Sequence, residues 1–243
     1  MRLAVAVLTL ALTPAATLAT STPQVSVQGI AIVFGDERIL APYPAGYMVA
    51  PAELAALSEV SSRVMPGNHR LLGAFLLETD LARAAVGVPP IMNRYMLLQA
   101  ARRNEHLRYS DTDFQSLRSY VRSVAPMLFA ASTNRILDRL AGISTRMLER
   151  GLGQPEYGFD KPVDLGVIMD MPDAIAVAGV IQRTASHLDV ASQETAAVSI
   201  GYVRLKGKLV MATVYARMDS PADIEWTRQA TRSWCANLLA ANR

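Results

Sequence analysis

The chain of 243 residues is 51% apolar, carries 24 basic against 21 acidic side chains, and contains a single cysteine, Cys235. That apolar share excludes intrinsic disorder, and the lone cysteine excludes an intramolecular disulfide. A formal charge of +3 is too small for a nucleic-acid surface.

Arg2, an apolar run from Leu3 to Leu12 and small residues up to Thr17-Leu18-Ala19 have the layout of a secretory leader. Residues 1–19 are therefore read as a signal peptide and 20–243 as a single globular domain, periplasmic in the first instance and secreted in the second. No later stretch approaches 18 uncharged apolar residues, so no transmembrane segment is expected in the mature chain.

Alternation at Val25 and Val27, followed by the apolar run Ile30 to Phe34, predicts a first strand, turned at Gly35-Asp36. The Pro-rich stretch Ala41 to Gly46 reads as connection. Pro51, with Leu54, Leu57, Ser61 and Val64 at helical spacing, predicts a short helix ended by Pro66-Gly67-Asn68. Leu71 to Leu77 and Ala174 to Ile181 are nearly unbroken apolar runs, as in strands covered on both faces. Tyr95 to Ala101 is a further strand after the breaker Val88-Pro89-Pro90.

Ser110 to Asp113 has capping-box form and opens a helix with a seam at Phe114, Leu117, Val121, Val124 and Leu128. Pro126 predicts a kink, after which the seam slips to Phe129, Thr133, Ile136, Leu140, Ile143 and Met147, with Gly151 as cap. Gln154 to Pro162 reads as loop, Val163 to Met169 and Ala174 to Arg183 as strands, and Ala185 to Glu194 as undecided. Ala196 to Leu205 and Lys208 to Ala216 form a hairpin around Lys206-Gly207. Ser220-Pro221-Ala222-Asp223 then starts a helix with one stripe of Trp226, Ala230, Trp234 and Leu238, and both tryptophans are expected to be buried.

The fold class expected is α/β (α+β): a mixed or antiparallel sheet covered by helices, an α/β/α sandwich with a closing β-hairpin and C-terminal helix. Residues 201–242 resemble the closing hairpin and helix of the PsbP-like superfamily. The resemblance rests on Lys206-Gly207-Lys208, the strand to Tyr215, and the helix with Trp226 and Trp234. It covers under a quarter of the chain, implies an extrinsic, often non-catalytic α/β/α protein, and assigns no site. The same pattern is similar to uncharacterised bacterial secreted proteins of this size.

No catalytic or metal-binding constellation is legible. His69, His106 and His187 lie far apart, and Gly-rich phosphate loops and Ser-x-x-Lys are absent. Ala197 to Gly201 is one residue short of a nucleophile elbow and sits in a strand. Cys235, beside Trp234 on a helix, reads as a small buried apolar residue. The carboxylate pairs Glu78/Asp80 and Asp170/Asp173 stand at strand ends.

The remaining cluster is Arg94, Arg102, Arg103, Arg108, Arg118 and Arg122, a candidate anion-binding rim for a phosphate-bearing lipid, a glycan or an acidic partner. The plainer reading has these arginines solvated and paired with Glu105, Asp111 and Asp113. The functional expectation is a binding or assembly module without cofactor or nucleic-acid partner. The alternatives are a hydrolase with an unmarked site and a carrier of an apolar or lipid ligand, whose pocket would draw on Met65, Met92, Met96 and Met127.

Overall fold

The computed structural model describes residues 28–51, 54, 69–128, 160–187 and 190–243. The leader, most of the helix read from Pro51 to Val64, the breaker at Pro66, the seam from Phe129 to Met147 and the cap at Gly151 lie outside them.

Nine strands and three helices occur among the described residues. β1 (Gly29–Phe34) and β2 (Glu37–Pro42) form a hairpin. The other seven strands are β3 (Tyr47–Val49), β4 (His69–Leu77), β5 (Arg94–Ala101), β6 (Asp160–Met171), β7 (Ala174–His187), β8 (Val190–Leu205) and β9 (Lys208–Arg217). They make one sheet in the order β3-β4-β5-β9-β8-β7-β6, with every neighbouring pair antiparallel. β6 to β9 are consecutive hairpins, whereas β5 reaches β9 across the whole middle of the chain. The helices are α1 (Glu78–Ala85), α2 (Asp111–Leu128) and α3 (Ala222–Ala241).

Pleating divides the core into two layers. One face presents Leu97, Val177, Ile200 and Tyr215 towards Phe114, Leu117 and Val121 of α2. The opposite face presents Phe75, Met96, Leu98, Val203 and Val214 towards Trp234, Cys235 and Leu238 of α3, together with Phe34 and Ile39 of the hairpin. The result is the expected α/β/α sandwich, with the β1–β2 hairpin sharing the α3 layer.

Several local signals act as their chemistry predicts. The Ser110 hydroxyl accepts from the Asp113 N–H at 3.1 Å, and the Asp113 carboxylate accepts from the Ser110 N–H at 3.1 Å, a reciprocal capping box. Lys206 (φ 50°) and Gly207 (φ 80°) are both left-handed, as a two-residue turn matched to strand twist requires. The Asp223 carboxylate accepts from the N–H groups of Asp219 and Ser220 and so caps α3 from within its first turn.

Other expectations need correction. The stretch left undecided, Ala185 to Glu194, belongs to the long strands β7 and β8. Two strands have no counterpart in that reading: β2 starts directly after the Gly35-Asp36 turn and runs into the Pro-rich connection as far as Pro42, and β3 follows that connection; α1 follows β4 without a break. Trp234 is fully buried and its indole N–H donates to the Pro42 carbonyl at 3.3 Å. Trp226 is only partly buried: it packs against the same cluster, with the Arg94 guanidinium 4.5 Å over its ring.

Two polar anchors hold the outer layer. The Asn242 side chain accepts from the Leu40 N–H (2.9 Å) and donates to the Leu40 carbonyl (2.8 Å), fastening the end of α3 to β2. Lys208 is buried, yet its ammonium pairs with Asp36 at 2.7 Å and donates to the Glu105 and Leu107 carbonyls. Burying a charged group is costly unless it is paired and hydrogen-bonded, as this one is.

Candidate functional site

The structure scatters the six arginines. Arg94 opens β5, while Arg102 and Arg103 lie just past its end. At about 3.3 Å per strand residue this separates them by roughly 25 Å. Arg94 donates to Asp223 at 2.7 Å. Arg108 donates to Asp36 at 2.6 Å and also reaches Glu37. Only Arg118 and Arg122, one turn apart on α2, come together. Arg118 donates to one Asp170 oxygen at 2.8 and 2.6 Å, and Arg122 to the other at 2.6 Å. The bonds from these two arginines, that from Arg122 foremost, hold the Asp170 carboxyl below its usual range. Arg102 and Arg103 are exposed.

The carboxylates at these arginines are therefore Asp36, Glu37, Asp170 and Asp223. Asp111, named in the plainer reading, pairs with Arg204, and Glu105 pairs with Arg70. Sequence proximity assembled the arginine cluster, whereas the acids that meet it come from distant parts of the chain: the β1–β2 turn, β2, β6 and α3.

The other chemical candidates are structural. Cys235 is fully buried and burial pushes its thiol up to about 12, so no thiolate nucleophile forms there. Ser199 is buried under α3, hydrogen-bonded to the Thr231 hydroxyl, and lies in mid-strand without an elbow turn. Asp80 accepts from the Ile91 N–H at 2.9 Å, and Asp173 pairs with Arg204. Among the described residues, no three His, Cys, Asp or Glu side chains converge as metal ligands.

A concave space does exist where the open end of the β1–β2 hairpin, the β2–β3 connection and the last turns of α3 meet. It is an open cleft with a volume of about 520 Å³. Pro42, Tyr43, Pro44 and Tyr47 supply rigid walls, Gly46, Ala240 and Ala241 leave room, and Glu78 and Asn237 stand exposed at its edge. The Tyr43 ring packs edge-on to Phe75, and Tyr47 leans on Trp226, each at 6.3 Å between centroids. Burial pushes the Tyr47 hydroxyl up to about 12, leaving it a neutral hydrogen-bonding group. Met48 of β3 borders the same space, and β3 is the edge strand of the large sheet. Nothing lining the cleft pairs a nucleophile with a base. It can seat an apolar group and hydrogen-bond a polar one. The only sequence signal for it was the run Pro42-Tyr43-Pro44-Ala45-Gly46-Tyr47, which by composition alone is a connection.

No family model matches this chain. No curated protein matches it either. Among solved structures it is similar to the Ran-binding protein Mog1p of Saccharomyces cerevisiae, at 13% identity and a TM-score of 0.30, over 89% of this chain and 93% of that one. Among the described residues, no helix is long and apolar enough to cross a membrane.

Proposed function

We propose that this chain is an exported, non-catalytic binding module that seats an extended polypeptide segment in the Tyr43–Tyr47 cleft. The observation that carries the reading is the cleft itself. Its walls are proline and aromatic rings, its polar groups sit at the rim, and a sheet edge runs beside it. An extended chain uses all three: rings pack its side chains, rim groups fix its register, and an edge strand offers backbone hydrogen bonds. The leader-like residues 1–19 support export. The hairpin of β8 and β9 followed by α3 is consistent with a PsbP-like extrinsic protein, which is part of the same proposal.

The test is a phage-displayed peptide selection on the exported protein, with each selected peptide re-measured on Ala240→Trp. That substitution fills the cleft from an exposed position of α3. Peptides are expected to bind the native protein and to lose at least tenfold in affinity to the variant at unchanged Tm. Equal binding to both proteins overturns the cleft assignment, as does a selection that yields no binder. Turnover of ester, phosphate or glycoside substrates by the purified protein overturns the non-catalytic reading. N-terminal sequencing from a periplasmic fraction should begin near Thr20; an intact Met1 in cytosol refutes export.

A further inference from the structure

The stretch read from sequence as the breaker Val88-Pro89-Pro90 is, in the fold, an exposed apolar loop between α1 and β5. From Ala84 to Met92 no side chain carries a nitrogen or oxygen atom. Val86 is 75%, Ile91 57% and Val88 40% exposed. Single exposed apolar side chains are ordinary, but three within one loop make a patch of the kind that marks a contact. The main chain here is satisfied from within. The Val86 and Val88 N–H groups donate to the Arg83 carbonyl at 3.2 and 3.0 Å, and that of Gly87 to the Ala84 carbonyl at 3.0 Å. The Ile91 N–H donates to the buried Asp80 carboxylate at 2.9 Å, and Pro89 and Pro90 have no N–H to place. The exposed Arg83 guanidinium donates through Nε to the Pro89 carbonyl at 3.2 Å, and Met92, at a left-handed φ of 56°, packs against the α2-side core. The loop is held at its start, middle and end while Val86, Val88 and Ile91 stay outside.

We propose that this loop is a membrane-surface anchor: Val86, Val88 and Ile91 enter the interfacial zone of a lipid bilayer, with Arg83 among the headgroup phosphates. Hydrocarbon offers an N–H no acceptor, so backbone can enter it only with its donors already met. Residues 86–91 fulfil that condition before any lipid is present. A protein partner would be recognised through hydrogen bonds as well as apolar contact, and this stretch has no polar side chain to offer one. Two prolines and the Asp80 and Arg83 contacts fix the loop in advance, so insertion has little left to order. The Arg83 charge at its base suits an anionic leaflet. The anchor uses none of the residues that line the Tyr43–Tyr47 cleft, so it goes beyond the peptide-binding reading and stands or falls separately.

The experiment uses the full chain and vesicles of phosphatidylcholine and phosphatidylglycerol in equal parts, read by flotation. The native protein should float with the vesicles, and the combined variant Val86→Ser, Val88→Ser, Ile91→Ser should partition at least tenfold more weakly, since each lost apolar group removes transfer free energy. All three positions are exposed, so its Tm should equal that of the native protein, which shows that lost binding is not lost folding. Cys235 is buried, so in Val86→Cys the new thiol takes an environment-sensitive fluorophore. That label should shift to the blue on vesicles and be quenched by a doxyl group high on the acyl chain. A native protein that does not float overturns the proposal, and so does equal flotation of the native protein and the serine variant. A label that stays in water while the protein floats assigns the lipid contact to another part of the chain and overturns it as well. Self-association that the serine variant loses, with no flotation of either protein, overturns it in favour of a second copy of this chain.

Discussion

Gly201 offers a sharp test of how closely α3 is seated on the sheet. A Cβ built at this position on β8 would stand 2.5 Å from the Cys235 Sγ of α3, with its next neighbours, Ala212 O and Thr231 Cγ2, at 3.6 and 3.7 Å. Nonbonded heavy atoms rest near 3.5–4.0 Å, so in Gly201→Ala the sulfur or the helix must retreat by about 1 Å. Overpacking of this kind costs about 1–3 kcal/mol. At about 2–4 °C per kcal/mol for a chain of this size, Tm should fall by about 2–12 °C. Cys235→Ala removes one buried heavy atom and should cost about 0.5–1.5 kcal/mol, by analogy with Ile→Val. In that background the sulfur that opposed the added methyl group is gone and the two remaining contacts are ordinary. Gly→Ala then mainly restricts the unfolded chain, which stabilises by about 0.4–1 kcal/mol. The sign of Gly201→Ala should therefore reverse between the two backgrounds. Urea denaturation of the four proteins, analysed as a double-mutant cycle, measures the coupling. Additive effects within about 0.5 kcal/mol would mean that α3 does not sit on β8 as described.

Three further outcomes follow from the polar contacts. The Asp36, Asp170 and Asp223 carboxyls are all held below their ordinary range, chiefly by bonds from Lys208, Arg122 and Arg94 respectively. Folded pKa values below the unfolded value of about 3.9 mean that the folded state binds fewer protons; stability should be complete above about pH 5 and decline as pH falls below about 4. A pH series of melts should show this acid limb, and Arg122→Gln should make it shallower. Ser110→Ala removes one half of the capping box on α2 and should cost about 0.5–2 kcal/mol in urea denaturation, with no change in m-value. Gly207→Ala meets nothing closer than 3.8 Å but forces alanine to a φ of +80°, so about 1–2 kcal/mol of backbone strain should appear in the same assay.

The elements that could be read along the chain are those whose determinants are local. The Ser110–Asp113 cap, the Lys206-Gly207 turn, and the acids that open α3 each depend on groups within a few residues, and each forms as read. β2 escaped because its inward residues, Ile39 and Ala41, are few and follow Glu37 and Arg38 in a segment that ends in prolines. α1 escaped because β4 runs into it at Leu77 with no side-chain cap. The arginines were legible as residues but not as a site. Whether Arg94 is available depends on Asp223, and whether Arg118 and Arg122 are depends on Asp170, and nothing in sequence spacing brings those acids near. The Tyr43–Tyr47 cleft depends likewise on Asn242 holding α3 against β2. Trp226 shares the stripe and the core cluster of Trp234, but it lies at the cluster's margin with Arg94 over its ring, which helical spacing alone does not show.

The seam between β5 and β9 has a kinetic consequence. β6 to β9 can zip in succession, each strand meeting the one just formed, whereas Arg94 and Ala216 must find each other across about half of the polypeptide. Closing so long a loop is entropically slow and rewards the chain only once both partners are in place. Docking of the β3–β5 block should therefore be the last step to complete, and truncation of Leu97 or Val214 to alanine should accelerate unfolding while leaving the folding rate nearly untouched.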